Sequence, residues 1–164
     1  MPRAPGVVTR WHVINLPVYV GARREPLGAV RGVWPDWEAG RVDRLTLDAG
    51  PWSVPAIQFT HEVHIDVDGV RLNHVGQVER QSGSWLTALE AGDWQGRLVV
   101  DGTGRLVGRV TDLEFQAAGG GLVGIWVSRG ILADLWHGML LADMRSVVPE
   151  RDRIVVGASG KAGA

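Results

Sequence analysis

Set against itself at an offset of 80 residues, this 164-residue chain repeats. Leu27-Gly28-x-Val30-x-x-Val33 aligns without a gap with Val107-Gly108-x-Val110-x-x-Leu113. The match continues through Gly40, Val42, Leu45 and Leu47, opposite Gly120, Leu122, Ile125 and Val127. It resumes at an offset of 84, where Val63, Asp68, Val70 and Leu72 stand opposite Val147, Asp152, Ile154 and Val156. A solenoid repeat has a period of roughly 20–50 residues, so a spacing this long reads as a duplicated domain. The repeated positions are glycines and aliphatics. They specify a fold, and no reactive side chain is repeated with them.

The repeats read as short strands. In the first, Leu16 to Val20, Leu27 to Val33, Arg41 to Leu47 and Ala56 to Phe59 are apolar runs bounded by Gly and Pro. Val63 to Leu72 contains Asp68-Gly69 between apolar residues, a hairpin signal, because Gly supplies positive φ and Asp tolerates it. In the second, Arg97 to Val100, Arg105 to Phe115, Leu122 to Ser128 and the hairpin Val147 to Val156 follow the same order. Residues 1–15 read as a lead-in, with Val7 to Ile14 as an edge strand. Residues 16–73 form the first domain, 74–95 a linker with a helical turn at Ser84 to Glu90, 96–157 the second domain, and 158–164 a disordered tail.

One segment departs from this rhythm. Ile131, Leu132, Leu135, Trp136, Met139 and Leu140 recur at the spacing of an amphipathic helix, with a twisted apolar hairpin as the alternative. An exposed stripe of this kind is a liability on a monomer. Ile131, Leu132, Leu135, Trp136 and Met139 are therefore expected to cover the first domain or a second chain.

Composition narrows the function classes. The net charge is −1, from 17 basic and 18 acidic residues, so the basic excess of a nucleic-acid binder is absent from the total. There is no Cys, which excludes disulfides and thiolate chemistry. No stretch approaches the ~18 apolar residues needed to span a membrane, and Arg10, His12 and Asn15 interrupt any signal-peptide core. The expected location is cytoplasmic.

Gly104-Arg105-Leu106-Val107-Gly108-Arg109-Val110-x-Asp112, then Gly121 to Val127, then Asp152-x-Ile154-Val155-Val156, resembles the PRC-barrel family. This is the small β-barrel of the photosynthetic reaction-centre H subunit and of the C-terminal half of ribosome-maturation factors. The first repeat follows the pattern less closely, with Gly32 where the second has Asp112. The resemblance implies an all-β chain of two tandem, small, antiparallel, partly open PRC-like barrels. It also implies docking onto proteins or ribonucleoproteins, and it carries over no catalytic residue.

The candidate reactive groups read mostly as surface and turns. His61 and His64 are three apart and on a strand point to opposite faces, while His64, Asp66 and Asp68 share one. That trio has the donor types for a divalent cation but reads better as a solvated face. Asp101-Gly102-Thr103-Gly104 precedes a strand, so it reads as a hairpin turn and not a dinucleotide loop. Gly83-Ser84 lacks the frame of a hydrolase nucleophile.

The eight Trp are the anomaly in composition. Trp34, Trp37 and Trp52 lie at turns beside Pro35 and Pro51 and are expected at a partner or inter-domain surface. The resulting expectation is a non-catalytic scaffold with no cofactor and no metal. A protein partner is expected, a homodimer being one form of it, with no direct contact to nucleic acid. The alternatives are an RNA-associated factor in ribosome or RNA processing, and a small-ligand or metal-dependent enzyme.

Overall fold

A computed structural model describes residues 6–48, 54–74, 76, 78–81 and 94–157. The chain is mostly β and divides into two units. Unit 1 comprises Met1–Gly92 and Phe115–Leu122, and unit 2 comprises Asp93–Glu114 and Val123–Ala164. Among the described residues no helix is long and apolar enough to cross a membrane.

Unit 1 opens with β1 (Val7–Thr9) and one helical turn, α1 (Arg10–Val13). The expected edge strand over Val7 to Ile14 is thus cut short. The Thr9 side chain accepts the His12 N–H at 3.4 Å, a helix-capping bond that competes with strand continuation. There follow β2 (Pro17–Val20), β3 (Gly28–Asp36), β4 (Arg41–Asp48), β5 (Val54–Gln58), β6 (Val63–Ile65), β7 (Val70–Leu72) and β8 (Val78–Gln81). Their order in the sheet is β6-β7-β2-β3-β4-β5-β8. The stretch read from the sequence as a linker therefore holds a strand. β8 pairs antiparallel with β5, with Glu79 opposite Ala56 and Val78 opposite Ile57. Its polar side chains gave no apolar pattern to find.

The second sheet is formed by β9 (Leu98–Asp101), β10 (Leu106–Gln116), β11 (Leu122–Ser128), β12 (Leu140–Asp143), β13 (Val147–Pro149) and β14 (Arg153–Val156). The helix α2 (Ile131–His137) lies between β11 and β12. The strand path is β12-β11-β10-β9-β14-β13. Read from its other end, this is the order of the first sheet without β8. In each sheet the first strand lies parallel to the last strand of the closing hairpin: β2 with β7, and β9 with β14. The expected pure antiparallel sheets are thereby corrected. A parallel neighbour needs a long crossover, which the intervening strands supply. Among the described residues neither sheet closes on itself.

The offset of 80 has a physical counterpart within each unit. A Cβ on Gly28 would stand 2.8 Å from the Asp48 carbonyl oxygen, and one on Gly108 would stand 2.1 Å from that of Ser128. Each glycine lets its strand approach the end of the next, which any side chain would block. Likewise, the Trp34 indole N–H donates to the Thr46 hydroxyl at 3.3 Å, and the Trp126 indole N–H donates to the Glu114 carboxylate at 3.2 Å. These are the same two positions with the indole moved to the facing strand.

The core follows from strand alternation and its interruptions. Val30 and Val33 are three apart yet both buried. A bulge between Val30 and Gly32 shifts the register against β4 and restores the inward face. Gly32 has no room for a Cβ, since the Thr46 hydroxyl and the Trp34 indole lie 2.6 and 2.9 Å from where it would be. Unit 1 also takes in residues beyond Gly92. Phe115 is fully buried and packs edge-on against Phe59. Val42 N–H donates to the Gly120 carbonyl at 2.8 Å, and Leu122 N–H to the Gly40 carbonyl at 2.9 Å. The sequence alone places this segment in the second domain, and the structure assigns Phe115–Leu122 to unit 1.

Candidate functional site

The segment after β11 is tied down by polar bonds, not by packing. Asp134 accepts the Arg129 N–H at 2.9 Å and the Ser128 hydroxyl. The Ser128 bond, then the Arg129 N–H, hold the Asp134 carboxyl below the usual carboxylate range, against a small opposing effect of burial. The Arg129 guanidinium reaches the Gly138 carbonyl at 3.2 Å, so one arginine contacts the chain at both ends of α2. Gly138, with φ of 71°, ends the helix and turns the chain into β12.

This frame presents apolar side chains to the outside. No residue of α2 is buried. Ile131, Leu132, Leu135 and Trp136 are 74–88 % exposed. Met139 is about half exposed, with its sulfur 3.6 Å from the Thr111 hydroxyl. A helix is present, but it ends at His137, so Met139 and Leu140 of the expected stripe lie beyond it, and its four large apolar side chains are exposed. Leu140 and Leu141 follow on β12, where they point to opposite faces of the strand, and both are exposed. From the sequence, Leu140 belongs to the apolar spacing while the expected interface ends at Met139. The Leu140-Leu141 pair after Gly138 was the available signal.

The Trp candidates divide. Trp34 and Trp37, on β3 and the turn after it, are partly exposed in unit 1, and Trp34 is engaged by Thr46. Trp52 lies outside the described residues, as do Trp85, the turn read at Ser84 to Glu90 and the tail 158–164. Trp94 is buried, while Trp11 is exposed.

The polar candidates are occupied by turns. Asp66 accepts the N–H groups of Asp68 and Gly69 at 2.9 and 3.0 Å and meets Arg71 at 3.3 Å. Those bonds, the Asp68 N–H foremost, lower its pKa against a partial desolvation effect. Asp101 accepts the Thr103 hydroxyl, the Thr103 N–H and the Arg105 N–H, which shapes the expected hairpin turn. Among the described residues no three His, Asp or Glu side chains are grouped to hold a metal. A cleft of about 280 Å³ in unit 1 is lined by Ile14, Asn15, Ala29, Val30, Arg31 and Asp48. Its one ion pair, Arg31 to Asp48 at 3.7 Å, is largely solvated, so the cleft offers no desolvated group for chemistry.

Residues 87–162 match the PRC-barrel domain family. The match covers β9 to β14 and leaves β1 to β8 outside it. No curated protein matches the chain.

Proposed function

We propose that the protein is a non-catalytic docking module made of two PRC-barrel-type units that arose by internal duplication. The duplication is supported by the common strand order, by the paired close approaches at Gly28 and Gly108, and by the exchanged indole bonds of Trp34 and Trp126. The docking role rests on one observation above all: Ile131, Leu132, Leu135 and Trp136 of α2 are exposed on a helix that Asp134 and Arg129 tie to the flanking chain. A contiguous apolar patch on a soluble surface marks an interaction site. Burial of each such side chain stabilises a complex by about 1.5–3 kcal/mol before the costs of association.

The test is affinity capture with the wild-type chain and with a Leu135→Asp/Trp136→Asp variant, each before and after nuclease treatment. The expected result is a set of proteins that the wild type retains after nuclease and the variant loses. Retention only while nucleic acid is intact would favour an RNA-associated factor. Equal retention by the variant would remove the α2 face from the docking surface.

A further inference from the structure

The two sheets share one strand order, and in that order β12 holds the place that β5 holds in unit 1. The outer edge of β5 is covered by an antiparallel strand, β8. Among the described residues the outer edge of β12 pairs with no strand. An open edge exposes backbone N–H and C=O groups that template another extended segment, and proteins ordinarily shield such edges with charge, proline or a bulge. The first three residues of β12 are Leu140, Leu141 and Ala142, which supply none of these, and the exposed α2 face adjoins them in sequence.

We propose that β12 pairs antiparallel with β12 of a second copy of this chain, with the α2 faces of the two copies covering one another. The proposal rests on the docking reading and names its partner. Three observations favour a second copy. The strand that covers β5 is antiparallel, and antiparallel pairing of a strand with itself generates a closed two-fold interface. A two-fold register centred on Leu141 sets Leu141 of the two copies opposite each other, Leu140 opposite Ala142 and Asp143 opposite Met139, so no like charges face each other. The exposed apolar side chains Ile131, Leu132, Leu135, Trp136 and Met139 offer area on the order of the ~800 Å² per partner found in stable interfaces, a Trp alone contributing ~150–250 Å².

The experiment is sedimentation velocity of the full chain over a range of concentrations. The expected species has twice the 17.8 kDa chain mass. The Leu135→Asp/Trp136→Asp variant, changed only at exposed positions, is expected to sediment as one chain with an unchanged circular dichroism spectrum. Because the chain has no cysteine, Leu141→Cys reports on the strand edge: mild oxidation should cross-link it into a covalent pair, while Leu106→Cys, exposed on β10, should stay single. A wild type of single-chain mass at all concentrations overturns the proposal, as does a dimer that the double variant leaves intact. If the wild type is a monomer yet loses captured proteins on the double substitution, the docking reading stands and the second copy alone is wrong. If neither mass nor capture changes, both readings fall.

Discussion

Phe59 and Phe115, the chain's two phenylalanines, meet edge to face in unit 1 with ring centroids 6.1 Å apart and planes at 90°. Both are fully buried, although 56 residues of sequence separate them. The hydrogen-rich edge of one ring meets the electron-rich face of the other, the geometry aromatic pairs prefer. Truncation leaves a cavity in a packed interior. Phe115→Ala is expected to lower unfolding free energy by about 3–5 kcal/mol in urea titrations. A double-mutant cycle with Phe59→Ala should leave a coupling of about 0.5–1.5 kcal/mol. Additive losses would show that the rings do not interact.

Gly108 and Gly28 should be intolerant of a methyl group, in that order. The added Cβ would meet a backbone carbonyl at 2.1 and 2.8 Å respectively, and neither carbonyl can move without its strand. Gly108→Ala is expected to cost about 1–3 kcal/mol by thermal melting, with Gly28→Ala nearer the lower end. Gly102→Ala, whose Cβ would find its nearest neighbour at 4.0 Å, should change stability by no more than about 0.5 kcal/mol. Equal melting temperatures for the three variants would contradict the close approach.

Asp143 ends β12 and accepts three hydrogen bonds from Arg145, two from the guanidinium and one from the backbone. The side-chain bonds, then the backbone N–H, hold its pKa at about 2, against a small opposing effect of burial. In the unfolded chain the group titrates near ~3.9. A lowered folded pKa means that the contribution to stability is complete above pH ~4 and is lost as pH falls from there through about 2. Carboxyl carbon shifts followed by NMR should show a midpoint near 2 for Asp143, moving up toward the ordinary value in Arg145→Gln. An unmoved midpoint would assign the shift to another cause.

Asp134→Ala should loosen α2 without unfolding unit 2. The carboxylate holds the Arg129 N–H and the Ser128 hydroxyl just ahead of a helix that buries no residue. Amide exchange at Arg129 and Gly138 is expected to speed severalfold, while Val99 and Ile154, both fully buried, keep their protection. Uniform acceleration across unit 2 would mean that Asp134 supports the whole unit.

The strands were legible where alternation and turns agreed. The Asp68-Gly69 and Asp101 to Gly104 turns, the paired glycines and the amphipathic stripe at Ile131 to Met139 all carry local signals. Other features depend on distant partners. β8 is polar, and its pairing with β5 is the reason it is a strand. The bulge at Val30 to Gly32 is a register shift against β4, which periodicity within one strand does not report. The direction in which α2 faces is set by Ser128, Arg129 and Asp134, and a helical stripe alone reads equally well as inward or outward. The helix at Ile131–His137 was thus legible in the sequence, whereas the outer edge of β12, unpaired among the described residues, depends on the strand order.

Unit 1 draws on Phe115–Leu122 as well as on Met1–Gly92, and this bears on how the protein is made. A nascent chain that has emerged only as far as Gly92 still lacks the ring that fills the site beside Phe59. The first unit thus waits on translation of sequence well beyond its own strands. A growing chain halted between Gly92 and Phe115 would present Phe59 unpacked, a surface for chaperones or proteases to recognise.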